Sequence, residues 1–264
     1  MPSPPLITLL TDFGLADHYV AAMKGVILGI CPDARLVDIT HQIQPFNVAQ
    51  AAFTLSQAYP CFPAGTIHVA VVDPGVGSAR RPILIEADNH TFIGPDNGVF
   101  TFPLTKDPHY TALTITAEHY FRHPVSQTFH GRDIFAPIAA YYAAGMAPAQ
   151  LGETLCDPVL FDLGPPTRIS DGVWSGRILY VDRFGNLVTN FRLADVPEIT
   201  GRRFKMEIGT GVTSWYHPSY AEANGGSIFL LQGSSGYLEV SINQGDAAGS
   251  TGASAGTSVR LRLM

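Results

Sequence analysis

The chain has 264 residues, 46% of them hydrophobic and only 14% charged, with a net charge of −6. This is enough apolar chain to bury a sizeable core in one large or two modest domains, while 16 Lys and Arg against 22 acids, with no basic run, argue against nucleic acid as a partner. No run of about 18 apolar residues offers a membrane span, the opening Met-Pro-Ser-Pro-Pro has no signal-peptide character, and the widely spaced Cys31, Cys61 and Cys156 suit neither a disulfide framework nor a zinc site, so the expected compartment is a reducing cytoplasm.

Ile7–Leu10 reads as a buried strand that runs into Thr11-Asp12-Phe13-Gly14. Ala16–Ile30 follows as a helix, with Val20, Met23, Val26, Ile27 and Ile30 spaced for one apolar face, and Pro32-Asp33 stops it. Arg35–Ile39 is a second strand that leads to Thr40-His41, and Val48–Ala58 a second helix. His68–Val72 is a short β-branched run, the pattern of a strand buried on both faces of a parallel sheet. Pro74, Gly75 and Gly77 end it sharply, which leaves Asp73 as its last side chain and places Arg80 and Arg81 after a small-residue loop. The β-α-β-α-β alternation predicts an α/β domain with a mostly parallel sheet, flanking helices and right-handed crossovers.

Ligands of such sheets bind beyond the carboxyl ends of the strands, and Asp12, His41, Asp73 and the Asp96 of Gly94-Pro95-Asp96-Asn97-Gly98 all fall there. Each motif also makes sense as turn chemistry, and residues 95–98 as a hairpin turn. Four polar strand ends are nonetheless more than turns require, and a buried carboxylate is costly unless paired; one shared polar site is expected. Further on, Thr128-Phe129-His130-Gly131-Arg132-Asp133 precedes an alanine-rich helix over Ile134–Ala144. The helix dipole there favours a neutral imidazole, and Gly131 admits a close neighbour, although a lone histidine is more often structural than catalytic.

Composition shifts after Leu163-Gly164-Pro165-Pro166. This predicts an α/β domain over 1–166 and a smaller all-β, barrel-like domain over 167–264, with short strands at 176–181, 186–190, 204–208, 227–231, 237–242 and 259–263. Gly249–Ser258 reads as a flexible loop. The second domain carries Asp182-Arg183-Phe184-Gly185-Asn186 and Gly233-Ser234-Ser235-Gly236-Tyr237-Leu238-Glu239, both acceptable as hairpin turns. An Asn amide also donates and accepts at once, as reading a purine edge requires. Phosphate-binding Gly-Lys loops, dinucleotide fingerprints, serine-hydrolase elbows and metal-ligand spacings are missing from the chain. A metal held by Asp12, His41, Asp73 and Asp96 remains a minor alternative.

Taken in order, Thr11–Gly14, Asp38–His41, Val71–Ser78, Gly94–Gly98, Phe129–Asp133 and Asp182–Asn190 closely resemble the motifs of the S-adenosyl-L-methionine (SAM) hydroxide adenosyltransferases, or SAM hydrolases, the water-using relatives of the fluorinating and chlorinating enzymes. The resemblance spans essentially the whole chain. It implies an N-terminal α/β domain, a C-terminal barrel-like domain and a homotrimer with sites between subunits. The implied reaction is displacement at C5′ of SAM by activated water, giving adenosine and L-methionine with neither cofactor nor metal. The resemblance puts the catalytic Asp, Arg and His on Asp73, Arg80 and His130, with Arg81 a less favoured substitute for Arg80. It further places Asp12 on the ribose hydroxyls, Phe46, Phe129 and Gly131 around the adenosine, Asp182 on the methionine ammonium, Asn186 on the adenine edge, and Ser234 and Ser235 at the methionine end, with Glu239 structural. Intact Asp73 and His130 set the chain with the water users. The rivals are a non-catalytic SAM or adenosine sensor, a metal-dependent hydrolase and a 5′-halogenase of the same superfamily.

Overall fold

Two apolar runs near the N-terminus, Ile7–Leu10 and His68–Val72, become strands with no face left for water. In the computed structural model, which describes residues 4–161 and 164–264, the chain divides into two units, Met1–Phe161 and Asp162–Met264. Met1–Ser3 and Leu163, the first residue of the linker expected from composition, lie outside the described residues.

The first unit begins β1 (Leu6–Thr11), α1 (Tyr19–Ile30), β2 (Arg35–Thr40), α2 (Val48–Ala58) and β3 (Ile67–Val71), the alternation expected from the sequence. It continues with β4 (Pro82–Ala87), β5 (His90–Pro95), α3 (Thr101–Lys106), β6 (Thr111–Ile115), α4 (Ala136–Ala143) and β7 (Gly152–Thr154). The sheet runs β2-β1-β3-β5-β4-β6-β7. Strands β2, β1, β3 and β5 are parallel, and β4, β6 and β7 extend the sheet by antiparallel pairing. Period-two alternation sends β3 side chains to both faces of the sheet, and both are covered. Ile67, Val69 and Val71 pack with Met23 and Ile27 of α1 and Ile138 of α4, whereas Ala70 and the following Val72 pack with Leu55 of α2 and Leu104 of α3.

Two expected boundaries move. Helix α1 starts at Tyr19 rather than Ala16, because Gly14 takes φ +67° and its N–H donates to the His41 carbonyl, turning the chain before the helix can begin. The helix expected from Ile134 is entered through a wider π-type turn over Gly131–Phe135, which leads directly into α4.

The second unit is antiparallel: β8 (Thr167–Ser170), β9 (Val173–Val181), β10 (Leu187–Arg192), β11 (Phe204–Ile208), β12 (Gly211–Thr213), β13 (Ile228–Gln232), β14 (Tyr237–Ile242), a short α5 (Ala247–Thr251) and β15 (Ser258–Leu263). The order is β12-β11-β15-β9-β10-β14-β13, with β8 beside β9. The two ends of this series nearly close on each other. Thr213 Oγ1 donates to the Ile228 carbonyl at 2.6 Å, and Tyr216 bridges Leu230; this is a barrel-like sheet around Phe191, Phe204, Met206, Leu238 and Leu261. The expected loop at Gly249–Ser258 is partly helical. Asp246 caps α5 by accepting from the Gly249 N–H at 2.8 Å, a cap that the glycine-rich composition hides. Among the described residues no helix is long and apolar enough to cross a membrane, and all three cysteines are free.

Inside the first unit, His68 is fully buried on β3, sharing hydrogen bonds with Thr8 Oγ1 at 2.7 Å and His90 Nδ1 at 3.2 Å and stacking on Phe92. Burial, reinforced by His90, pushes its imidazole down to about 3. The unfolded chain therefore takes up a proton here near pH 6.5 that the folded chain refuses, so stability is present above pH 6.5 and is lost as pH falls toward 3. We expect the urea midpoint of the wild-type protein to drop over that interval, and to drop less steeply in His68→Gln; equal slopes would show that His68 does not carry the dependence.

Candidate active site

The carboxyl ends of β1 and β3 and the entry to α4 meet at a cavity of about 370 Å³ in the first unit, lined by Asp12, Phe13, Tyr19, Phe46, Asp73, Val76, Phe129, His130 and Gly131. Asp73 stands where β3 stops. Its Oδ2 accepts from Arg80 Nε at 2.9 Å and from the Arg80 terminal nitrogen at 2.5 Å. The same terminal nitrogen lies 2.9 Å from His130 Nδ1, and the guanidinium sits over the Phe135 ring, 5.0 Å from its centroid. Side chains of Arg80 and Asp73 are only 10% and 5% exposed, so water screens this pair little. Asp73 Oδ1 is buried and has no hydrogen-bond partner among the described residues.

A guanidinium has donors only. His130 Nδ1 must therefore offer its lone pair to Arg80, which leaves the ring proton on Nε2. Burial first, and the Arg80 charge second, hold His130 below the ordinary imidazole range, against the opposing pull of Asp73 and Asp133. The ring is neutral at pH 7.

Aromatic groups form the rest of the wall. Phe129 meets Tyr19 edge-on at 5.0 Å and Phe13 at 5.9 Å, and Arg132 covers its ring at 4.9 Å. Gly131 permits this packing, since a Cβ there would come within 3.2 Å of Met23 Sδ and 3.3 Å of Phe13. Phe46 is 70% exposed at the cavity rim and holds a positive φ of 67°. Its backbone N–H donates to Asp12 Oδ2 at 2.8 Å, so Asp12 shapes the turn that presents Phe46. Phe13 and Tyr19 escaped the reading of the sequence; the only signal was their place in and just after the Thr-Asp-Phe-Gly turn.

The other polar strand ends do not join this cavity. His41 is held by Thr11 Oγ1 at 2.9 Å and Asp38 at 3.1 Å. Asp96 accepts from Arg81 at 2.8 Å and from the Val159 N–H at 2.8 Å. The shared polar site thus holds two of the four expected strand-end residues, Asp12 and Asp73, together with His130. Arg81 is committed to Asp96 and Asp157, so Arg80 is the arginine at the site.

In the second unit a separate cavity of about 1020 Å³ is lined by Asp182, Phe184, Asn186, Tyr220, Ser234 and Glu239, among others. Asp182 Oδ1 accepts from the backbone N–H groups of Phe184 and Asn186, at 2.8 and 2.9 Å, and its Oδ2 accepts from Asn186 Nδ2 at 2.8 Å. One of the two amide hydrogens of Asn186 is thus already in use. Ser235 does not line this cavity; its Oγ is buried without a hydrogen-bond partner among the described residues. Burial raises the Glu239 carboxyl above the usual carboxylate range, and Asp182 adds to the shift. Among the described residues no group of three or more His, Cys, Asp or Glu side chains is placed to hold a metal ion.

Residues 7–152 match the N-terminal domain, and residues 176–260 the C-terminal domain, of the SAM hydroxide adenosyltransferases. A protein of Thermus thermophilus named (R)-S-adenosyl-L-methionine hydrolase is 36% identical over 97% of this chain and 98% of its own. A fluorinase of Nocardia brasiliensis is 26% identical over 98% and 97%. The crystal structure of a conserved protein from Thermotoga maritima superposes with a TM-score of 0.89 at 32% identity, covering 97% of this chain and 99% of that one. With both domains matched in order and a relative alike over nearly its full length, the chain belongs to the SAM hydroxide adenosyltransferase family.

Proposed function

We infer that this protein is an enzyme that hydrolyses S-adenosyl-L-methionine to adenosine and L-methionine. The (R) sulfonium epimer, specified in the name of the Thermus relative, is the proposed substrate. The observation that carries the chemistry is the Asp73–Arg80–His130 cluster, of which Asp73 and His130 line the first unit's cavity and Arg80 ties them together. In the proposed mechanism a water donates one hydrogen bond to Asp73 Oδ1, the carboxylate oxygen that Arg80 leaves uncommitted, and accepts one from His130 Nε2–H. Its oxygen forms the bond to C5′ as the C5′–S bond breaks. The electron pair of that bond goes to sulfur, turning the sulfonium into the thioether of methionine, and the water proton passes by way of Asp73 to solvent. Positioned proton transfer of this kind contributes roughly 10²–10⁴ in rate. Charge is also cancelled as a hydroxide-like oxygen meets a sulfonium, so a wall of Phe13, Tyr19, Phe46 and Phe129 favours the transition state over well-solvated separate ions.

We propose that Asp12 takes the ribose hydroxyls, that Phe46, Phe129 and Gly131 enclose the nucleoside, and that Asp182, Asn186, Ser234 and Ser235 serve the adenine and methionine ends. The two groups of residues lie on different units, and each cavity has an exposed aromatic in its lining, Phe46 at 70% and Phe184 at 77%. A homotrimer in which subunits complete one another's sites accounts for both facts. Free cysteines and a net negative charge favour a reducing cytoplasm and a small-molecule substrate over nucleic acid.

The deciding experiment is a single turnover of the (R) epimer in oxygen-18 water with excess chelator. The label is expected at the 5′-hydroxyl of adenosine, with no 5′-halogenated nucleoside when chloride or fluoride is added. SAM binding without turnover would instead make the protein a sensor, and unlabelled adenosine would point to attack by Asp73 itself through an ester.

Asp73→Ala, Arg80→Ala and His130→Ala should each lower kcat about 10²-fold or more while SAM still binds, measured by calorimetry beside steady-state rates. In the wild type, kcat should hold down to pH 6.5 and fall only at lower pH. Protonation of His130 Nδ1 would then set two donors against each other at Arg80, and the neutral ring is favoured by burial and by Arg80.

Light scattering at assay concentration should return the mass of three chains. A fully active monomer would rule out the shared-site trimer.

A further inference from the structure

The loop that carries Asp73 and Arg80 has an unusual route. Its ends belong to β3 and β4, but β5 lies between those two strands in the sheet. The loop must therefore pass over the carboxyl end of β5, where Asp96 and Asn97 stand. Asn97 Nδ2 donates to the carbonyl of Val72, the residue before Asp73, at 2.9 Å. The Asn97 Oδ1 accepts from the Val99 N–H at 3.3 Å, which fixes the amide's orientation. Asp96 takes the other end of the loop. Its backbone N–H donates to the carbonyl of Arg81, the residue after Arg80, at 2.9 Å, and its Oδ2 accepts from Arg81 Nε at 2.8 Å. The Asp96 side chain is 2% exposed, and its Oδ1 accepts from the Val159 N–H. Arg81 continues to Asp157, donating to its Oδ1 at 2.8 Å and to its carbonyl at 2.9 Å.

We propose that Asp96 and Asn97 are positioning residues for the hydrolysis, a clasp on both ends of the β3–β4 loop that sets Arg80 between Asp73 and His130. Neither side chain touches the cavity. Between the clasped ends the loop has bonds of its own: the Val76 N–H donates to the Asp73 carbonyl and the Ser78 N–H to the Gly75 carbonyl. Gly77, at φ +77°, lets the loop press against the segment before His130, since a Cβ there would lie 2.4 Å from the Gln127 carbonyl. With its ends fixed, the loop has little freedom left, and a misplacement near 1 Å at a reacting group costs on the order of 10²-fold in rate.

This inference rests on the proposed roles of Asp73, Arg80 and His130, and the test separates the two. Asn97→Ala, Asp96→Ala and Asp96→Asn are compared with Arg80→Ala for kcat, KM, thermal midpoint and the pH dependence of kcat. We expect Asn97→Ala and Asp96→Ala to lower kcat at least tenfold with KM for SAM within about twofold, since Asp12, Phe46 and Phe129 are untouched. Asp96→Asn, which keeps one of the two acceptor oxygens but sets an NH2 against the other donor, should recover only part of the loss. The acid limb of kcat should also move to higher pH in Asn97→Ala, because His130, which faces Arg80, Asp73 and Asp133, loses part of the cation that holds its pKa down. A lowered thermal midpoint with kcat and its pH profile unchanged would overturn the clasp and leave the mechanism standing. Full activity in Arg80→Ala would overturn the mechanism itself. If Asp96→Ala does not fold, Asn97→Ala decides alone.

Discussion

Arg80 is pressed against a carboxylate and an imidazole at once, in a place where water screens neither. Taking such charges out of water costs several kcal/mol per ion, and only close geometry and further hydrogen bonds offset it. Here the offset comes from two donations into Asp73 Oδ2, one into His130 Nδ1 and the face of Phe135. Because Arg80 occupies one oxygen of Asp73 and one nitrogen of His130, it also decides what the other atoms can do. Asp73 Oδ1 remains an acceptor and His130 Nε2 a donor, a complementary pair of the kind a single water can bridge.

The rest of the first unit serves that placement. Parallel β1 and β3 deliver Asp12 and Asp73 to the same edge, while the turn into α4 delivers His130 from a third direction. Asp133, fully buried, accepts from the Ser126 N–H at 2.9 Å and pairs with Arg132, which ties the segment ahead of His130 to the helix that follows. Each of these side chains is therefore backed by regular structure on one side and by a buried polar contact on the other. Sites built in this way hold their geometry better than sites on free loops.

In the second unit the polar residues are organised differently. Asp182 spends both oxygens on its own turn, and Glu239 sits where burial favours the neutral acid.

Much of this was legible in the sequence, and the parts that were legible share a cause. A strand buried on both faces is apolar at most positions, so β1 and β3 declared themselves, and with them Asp12 and Asp73 at their ends. Six of the second unit's eight strands were equally plain, because hairpins need Gly, Asn and Ser locally; β8 and β12, of four and three residues, were too short to show. Phe13 and Tyr19 were not legible, since an aromatic two or eight residues past a strand looks the same whether it packs in a core or lines a cavity. Local pattern alone did not separate His130 from His41, or Arg80 from Arg81; the family resemblance is what favoured His130 and Arg80. The two arginines are alike in type and local setting, and they differ in what lies across from them: Asp73 for one, Asp96 and Asp157 for the other. The order β3-β5-β4 decided that, by carrying the loop over the end of β5 and turning consecutive side chains toward different carboxylates. Local pattern reports which face of a segment is buried; only the packed sheet determines which charges meet, because Coulomb energy depends on distance through space and not along the chain.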